Sequence, residues 1–208
     1  MADSLSVRLA DPAVRVVEAD TGTWFVSGVD PPALSSRIRD ADTVDAVKTA
    51  VTGVAEDAAL VNVADDSGRR VHAFRSVAGG YRLYYCRQPD GTAVVTDHLR
   101  TALAALPVER RRMPEAAIAD HLLFRGPVGA DAPVEGVTGL GQGEWLTWDL
   151  RADDRQVERV DRLDAHGHTP PSRAPADIEA TYESVLDLDG VDDDLVNLYS
   201  GGVDSTLT

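Results

Sequence analysis

The run Leu60-Val61-Asn62-Val63-Ala64-Asp65-Asp66-Ser67-Gly68-Arg69-Arg70-Val71-His72-Ala73-Phe74-Arg75 sets the fold class. Two short stretches, rich in apolar and β-branched residues, are parted by Asp-Asp-Ser-Gly, whose side chains favour tight turns. That pattern predicts a β-hairpin with strands over 60–64 and 70–75. A second hairpin follows, with strands over 82–87 and 93–96 around Pro89-Asp90-Gly91. Upstream, 14–19 and 23–27 read as strands joined by Asp20-Thr21-Gly22. Downstream, 134–137, 143–150 and 155–162 read as further short strands.

Helices fill the gaps. Val44, Val47, Val51 and Val54 recur at helical spacing over 43–54. Residues 97–105 and 114–123 read as two more, the second with Pro114 in its first turn. The pattern predicts an α+β sandwich dominated by antiparallel strands over 1–165. Residues 166–174, with two prolines and two histidines, read as a linker. An amphipathic helix is expected over 175–188, with Ile178, Tyr182, Val185 and Leu186 on one face. The apolar run 195–199 then reads as a buried strand.

Composition bounds the function. A hydrophobic fraction of 43% is enough for a packed core. No apolar stretch is long enough for a transmembrane helix. The N-terminus shows no basic region followed by an apolar run, so no signal peptide is visible. Cys86 is the single cysteine, which excludes an internal disulfide framework and a cysteine-based zinc site. It reads as a small buried apolar residue in a strand. These features point to the cytoplasm, with no membrane partner.

Net charge is −15, and lysine occurs once, at Lys48. Strong self-repulsion of this kind is relieved by salt. The balance resembles that of proteins from salt-loving archaea; a GC-rich genome that favours Asp, Arg, Ala and Val codons is the alternative source. Arg110-Arg111-Arg112 is the one basic cluster and reads as a solvated helix end. No nucleic-acid partner is expected.

Two glycine- or histidine-bearing stretches are set aside. Gly139-Leu140-Gly141-Gln142-Gly143 is followed by the strand pattern Glu144-Trp145-Leu146-Thr147-Trp148, where a dinucleotide site needs a helix, so it reads as a turn. His166-Gly167-His168 has no partner cluster and falls short of the four ligands of a structural metal site.

The chain ends Ser200-Gly201-Gly202-Val203-Asp204-Ser205-Thr206-Leu207-Thr208. Paired glycines let backbone N–H groups approach an anion with no Cβ in the way. Ser200, Ser205 and Thr206 add hydroxyl donors. Asp204 suits a helix N-cap, and a helix beginning there would aim its positive end at phosphate. Gly-Lys-Ser/Thr is lacking, so this is not a Walker loop. The bland alternative is an ordinary strand–turn–helix corner.

A strand running into Ser-Gly-Gly-x-Asp-Ser resembles the pyrophosphate loop of the N-type ATP pyrophosphatases. Further stretches are similar to asparagine synthetase and its relatives: 60–75, Gly79-Gly80-Tyr81-Arg82-Leu83-Tyr84-Tyr85, Val94-Val95-Thr96-Asp97-His98-Leu99-Arg100-Thr101-Ala102-Leu103, and 118–148 with Phe124-Arg125-Gly126-Pro127-Val128. The likeness covers roughly residues 55–208 and is specific mainly in the loop. It implies an amidotransferase-like sandwich of the N-terminal-nucleophile (Ntn) type, a linker, and over 175–208 the first helix and strand of an α/β nucleotide-binding domain that continues past Thr208.

By the same resemblance Ser200, Gly201, Gly202, Asp204, Ser205 and Thr206 would bind ATP and the leaving pyrophosphate, with Mg²⁺ as cofactor and Asp204 as a candidate partner of Mg-ATP. The implied reaction is ATP-dependent activation of a carboxylate such as aspartate, then capture of the acyl-adenylate by ammonia or another amine. In glutamine-hydrolysing members the nucleophile is a cysteine directly after the initiator Met, with its α-amine as base. Ala2 stands there in this chain, which speaks against glutaminase activity. No catalytic base is apparent. Another N-type pyrophosphatase and a non-catalytic binding protein on the same fold remain the alternatives.

Overall fold

The computed structural model describes residues 4–28, 31–52, 58–64, 70–77, 80–124, 132–162 and 176. By contact the chain divides into two units, Met1–Leu163 and Asp164–Thr208. The elements below belong to the first. The helix expected at 175–188 and the strand expected at 195–199 lie outside the described residues, apart from Ala176. The Asp65-Asp66-Ser67-Gly68 turn lies outside them too.

The first unit is mixed α+β, with two sheets and few helices. The larger sheet is built from β2 (Arg15–Ala19), β3 (Gly22–Gly28), β4 (Ala58–Ala64), β5 (Arg70–Arg75), β9 (Glu144–Asp149) and β10 (Asp154–Arg159). Their order is β10-β9-β5-β4-β3-β2, antiparallel throughout. The smaller sheet contains β1 (Leu5–Arg8), β6 (Leu83–Arg87), β7 (Ala93–Thr96) and β8 (Val137–Leu140), in the order β1-β7-β6-β8. In it β1 pairs parallel with β7, Leu5 opposite Ala93 and Arg8 opposite Thr96. The helices are α1 (Pro31–Arg39), α2 (Val44–Val51), α3 (Leu99–Ala104) and α4 (Glu115–Phe124).

Three apolar cores order these elements into layers. Leu34 and Ile38 of α1 and Val47 and Val51 of α2 pack on Trp24, Val26, Leu60, Phe74 and Trp145 of the larger sheet. The opposite face of that sheet offers Val61, Val71, Ala73, Leu146 and Trp148 to Leu83, Tyr85, Val95 and Leu140 of the smaller one. The outer face of the smaller sheet, with Tyr84, Cys86, Val94 and Val137, is covered by Ala102, Leu103 and Leu106 of α3 and the turn after it. The sequence of layers is helix, sheet, sheet, helix. Central strands are therefore buried on both faces, which is why Ala93-Val94-Val95-Thr96 reads as an unbroken run rather than an alternation.

Local chemistry explains the ends of the elements. The Thr43 hydroxyl accepts the Ala46 N–H at 3.1 Å and caps α2. Pro89-Asp90-Gly91 turns as expected: Gly91 takes φ +92°, and Gln88 N–H donates to Thr92 O at 2.8 Å. Strand β10 lies at the edge and is exposed along its length; its alternating Asp, Arg, Glu and Arg discourage pairing with another chain.

Some expectations need correction. A strand was expected at 134–137, but Gly136 adopts φ +78° in a turn and β8 begins only at Val137. The expected turn at 139–143 is correspondingly shorter, because Gly139 and Leu140 complete β8. Two elements carry no strong sequence signal. Strand β1 has four residues, too few for period-2 alternation to stand out. Helix α1 carries Ser35, Ser36, Arg37 and Arg39, which break up its apolar face; packing of Leu34 and Ile38 holds it on the sheet.

Candidate functional site

The sequence places the functional loop at Ser200, Gly201, Gly202, Asp204, Ser205 and Thr206; all six lie outside the described residues, as do Ala2, His166 and His168. Within the first unit, four clusters of polar or unusually placed side chains remain.

The first is at the start of β1. The Ser4 and Thr92 hydroxyl oxygens lie 2.6 Å apart, and Ala93 N–H donates to Ser4 O at 2.9 Å. The Thr92 N–H donates to Asp90 at 2.8 Å; this bond, with the Thr92 side chain, holds the Asp90 carboxyl below its usual range. This set ties the N-terminal strand to the β6–β7 turn. None of its members is a base suited to activating a hydroxyl at neutral pH.

The second lies at the other end of β1. The Asp97 carboxylate accepts the N–H groups of Ala10 and Asp11, and Tyr81 Oη donates to Asp11 Oδ2 at 2.9 Å. His98 caps α3 through its Nδ1, which accepts Arg100 N–H at 3.2 Å. Segment Asp97-His98-Leu99-Arg100, one of the stretches carrying the family likeness, thus performs structural work here.

The third is an arginine–tryptophan stack. Trp148, fully buried, lies beneath the guanidinium carbons of Arg155 at 4.5 Å and Arg87 at 5.4 Å, within cation–π range. Asp153 closes the group: it accepts Trp148 Nε1–H at 3.0 Å, Arg87 Nε–H at 3.1 Å and Arg155 Nη2–H at 3.0 Å. Arg87 also donates to Gly91 O and Leu150 O. All three Arg87 nitrogens are bonded to protein, and the cluster fastens the β9–β10 hairpin across the two sheets.

The fourth is His72, buried under the α2 layer. Its Nδ1 lies 3.4 Å from Trp145 Nε1 and 3.2 Å from Thr147 Oγ1. Burial first, and then the Arg70 charge, push its pKa down to about 4, so the ring is neutral at physiological pH.

Cys86 is buried in β6 against Ala102 O, and burial raises its thiol pKa, which suits an inert core residue. No group of three or more His, Cys, Asp or Glu among the described residues is placed to hold a metal ion. No helix among the described residues is long and apolar enough to cross a membrane. The Gly139–Gly143 stretch leads into strand β9 rather than a helix, against a dinucleotide loop.

Helix α4 carries an exposed apolar surface. Leu122, Leu123 and Phe124 at the end of α4 are 76%, 74% and 64% exposed, with Ile118 and Met113 also exposed nearby. Of the residues of α4, Ala117 is buried. No family model and no curated protein matches the chain.

Proposed function

We propose that the chain belongs to an ATP-dependent amide-forming ligase of the asparagine synthetase type, working in the cytoplasm. Its first unit would be an Ntn-type, amidotransferase-like sandwich serving as a scaffold. The observation that carries this reading is Ser200-Gly201-Gly202-Val203-Asp204-Ser205 directly after the apolar run Leu195-Val196-Asn197-Leu198-Tyr199. The mixed α+β build of the first unit, two packed sheets with few helices, is compatible with a sandwich of that kind.

In this reading a carboxylate substrate attacks the α-phosphorus of ATP, the bond to the β-phosphate oxygen breaks, and pyrophosphate leaves with Mg²⁺. The acyl-adenylate then reacts with ammonia or another amine, releasing AMP. Ser200, Ser205, Thr206 and the N–H groups around Gly201 and Gly202 would bind the departing pyrophosphate as its charge grows, and Asp204 would cap the following helix and face the Mg-ATP. Ala2 offers no nucleophile, so the amine would be taken up directly rather than drawn from glutamine.

The test is carboxylate-dependent ATP–pyrophosphate exchange by the full reading frame that encodes the chain. Exchange is expected in the parent protein and lost in Asp204→Ala and Gly201→Val. The first removes a cap and a metal-facing carboxylate; the second puts a branched Cβ where phosphate must approach. Undiminished exchange in both variants rules out the loop assignment. Absence of exchange with any small carboxylate, with ATP still bound, favours a non-catalytic binding protein.

A further inference from the structure

His72, Asn62 and Thr147 stand side by side on β5, β4 and β9, on the face of the larger sheet that carries α2. His72 is 7% exposed. Its hydrogen bonds identify its tautomer. An indole N–H can only donate, so the Nδ1 that faces Trp145 Nε1 must present a lone pair, and the ring proton sits on Nε2. Thr147 Oγ1 lies 3.2 Å from the same Nδ1 and competes for that one lone pair. Trp145 in turn packs 6.2 Å from Trp24 and 6.1 Å from Phe74, in the core that holds Val47 and Val51 of α2. One nitrogen lone pair therefore anchors the central tryptophan of the α2 core.

The charged groups around this ring come from three elements. Arg70 lies two residues earlier on β5. Asp45 and Lys48 come from α2, and Lys48 is ion-paired with Glu158 of β10.

We propose that His72 is an acid-sensitive latch between α2 and the larger sheet, shut by its neutral Nδ1 and opened by protonation there. A proton from solvent adds to the Nδ1 lone pair. Nδ1 then becomes a donor facing the Trp145 N–H, which loses its acceptor. The new charge sits beside Arg70 and Lys48, with Asp45 giving partial compensation. The latch relaxes by letting His72 reach water, which loosens Trp145 and α2.

The sign follows from the two states. Burial and then Arg70 lower the pKa of the closed ring, Asp45 raises it and Lys48 lowers it, to about 4 against an ordinary 6.5. The closed state is therefore fully favoured above the ordinary value and weakens as pH falls from there toward about 4. Across that window, down to pH 4, the closed state loses on the order of 150-fold in its equilibrium against the open one.

Hydrogen exchange of the full 208-residue chain between pH 7.5 and 4, corrected for intrinsic rates, provides the test. Amides of α2 are expected to lose protection by on the order of 150-fold, while those of α3 on the far side of the two sheets keep theirs, and tryptophan emission shifts to longer wavelength over the same range. His72→Gln, which keeps an acceptor but does not titrate, is expected to abolish the response. Asp45→Asn should move the midpoint to lower pH, and Lys48→Met to higher pH. A purely structural role for these residues would shift both in the same direction. The latch is overturned by an unchanged response in His72→Gln, by α2 and α3 losing protection together, or by same-direction shifts in the two charge variants. If His72→Gln does not fold, the directions of the Asp45 and Lys48 shifts decide.

Discussion

The backbone N–H of Ala10 donates to both carboxylate oxygens of Asp97, at 2.8 and 2.9 Å, across 87 positions of sequence. The Asp11 N–H adds a third bond at 3.1 Å. One side chain at the end of β7 thus satisfies the backbone just after the parallel strand β1. Asp97→Ala removes the acceptor from both N–H groups. The site is partly open to water, so the expected loss is about 1–2 kcal/mol of unfolding free energy. Asp97→Asn, which keeps one acceptor oxygen, should cost less. Urea unfolding of the two variants checks the order; equal stability of Asp97→Ala and the parent would show that water replaces the carboxylate without loss.

Asp153 combines a left-handed backbone, φ +52°, with three side-chain donors. Asparagine tolerates that conformation and alanine does not, so Asp153→Ala should be less stable than Asp153→Asn by about 1 kcal/mol. Burial alone would raise the Asp153 carboxyl; the bond from Trp148 and the Arg155 and Arg87 interactions outweigh it and hold it below the usual range. A lowered folded value means the contribution is present above the unfolded carboxylate range and is lost as pH falls through the folded value. Acid titration of stability should accordingly be shallower in Asp153→Asn than in the parent. Identical acid limbs would dissociate the carboxylate from the stack.

Two glycines with left-handed backbones separate strain from steric exclusion. A Cβ on Gly143, φ +68°, would collide with Asp161 O and meet Val77 Cγ1 at 2.8 Å. A Cβ on Gly91, φ +92°, would meet nothing within 4 Å. Gly91→Ala is expected to cost about 1–2 kcal/mol from backbone strain. Gly143→Ala must also displace the backbone after β10, where Val160 and Asp161 N–H donate to Gly143 O, and should cost clearly more. Thermal melts of the pair rank them; a milder effect at Gly143 would contradict the close approach.

Net charge of −15 with one lysine predicts self-repulsion that salt relieves. The melting temperature of the chain should rise from dilute buffer to molar salt. A melt unchanged or lowered by salt would refute the charge argument.

Legibility tracked the range of the forces involved. Strand β5 was expected at 70–75 and β7 at 93–96, and both have those bounds, because turn-forming residues set the edges of the hairpins. Helix α2 was legible from the valine spacing. Strand β1 was not, since its stability comes from pairing with β7, far along the chain. Helix α1 was hidden by its serines and arginines, and β8 was displaced because nothing local announced the left-handed turn at Gly136. The structural work of Asp97 and His72 was also invisible, because each depends on partners 73 to 87 positions away.

The sequence by itself determined the mixed α+β class, the hairpins and the acidic charge balance, and it alone carries the Ser200-Gly201-Gly202-Val203-Asp204-Ser205 stretch on which the proposed function rests. These are written in neighbouring residues: turn chemistry, periodicity, charge and spacing. Only the tertiary structure decided that β1 joins the smaller sheet in parallel, that α1 and α2 share one face of the larger sheet, and that His72 faces Trp145 from beneath α2. Those outcomes follow from burial of both faces of two sheets at once, a condition that no short stretch of chain can express.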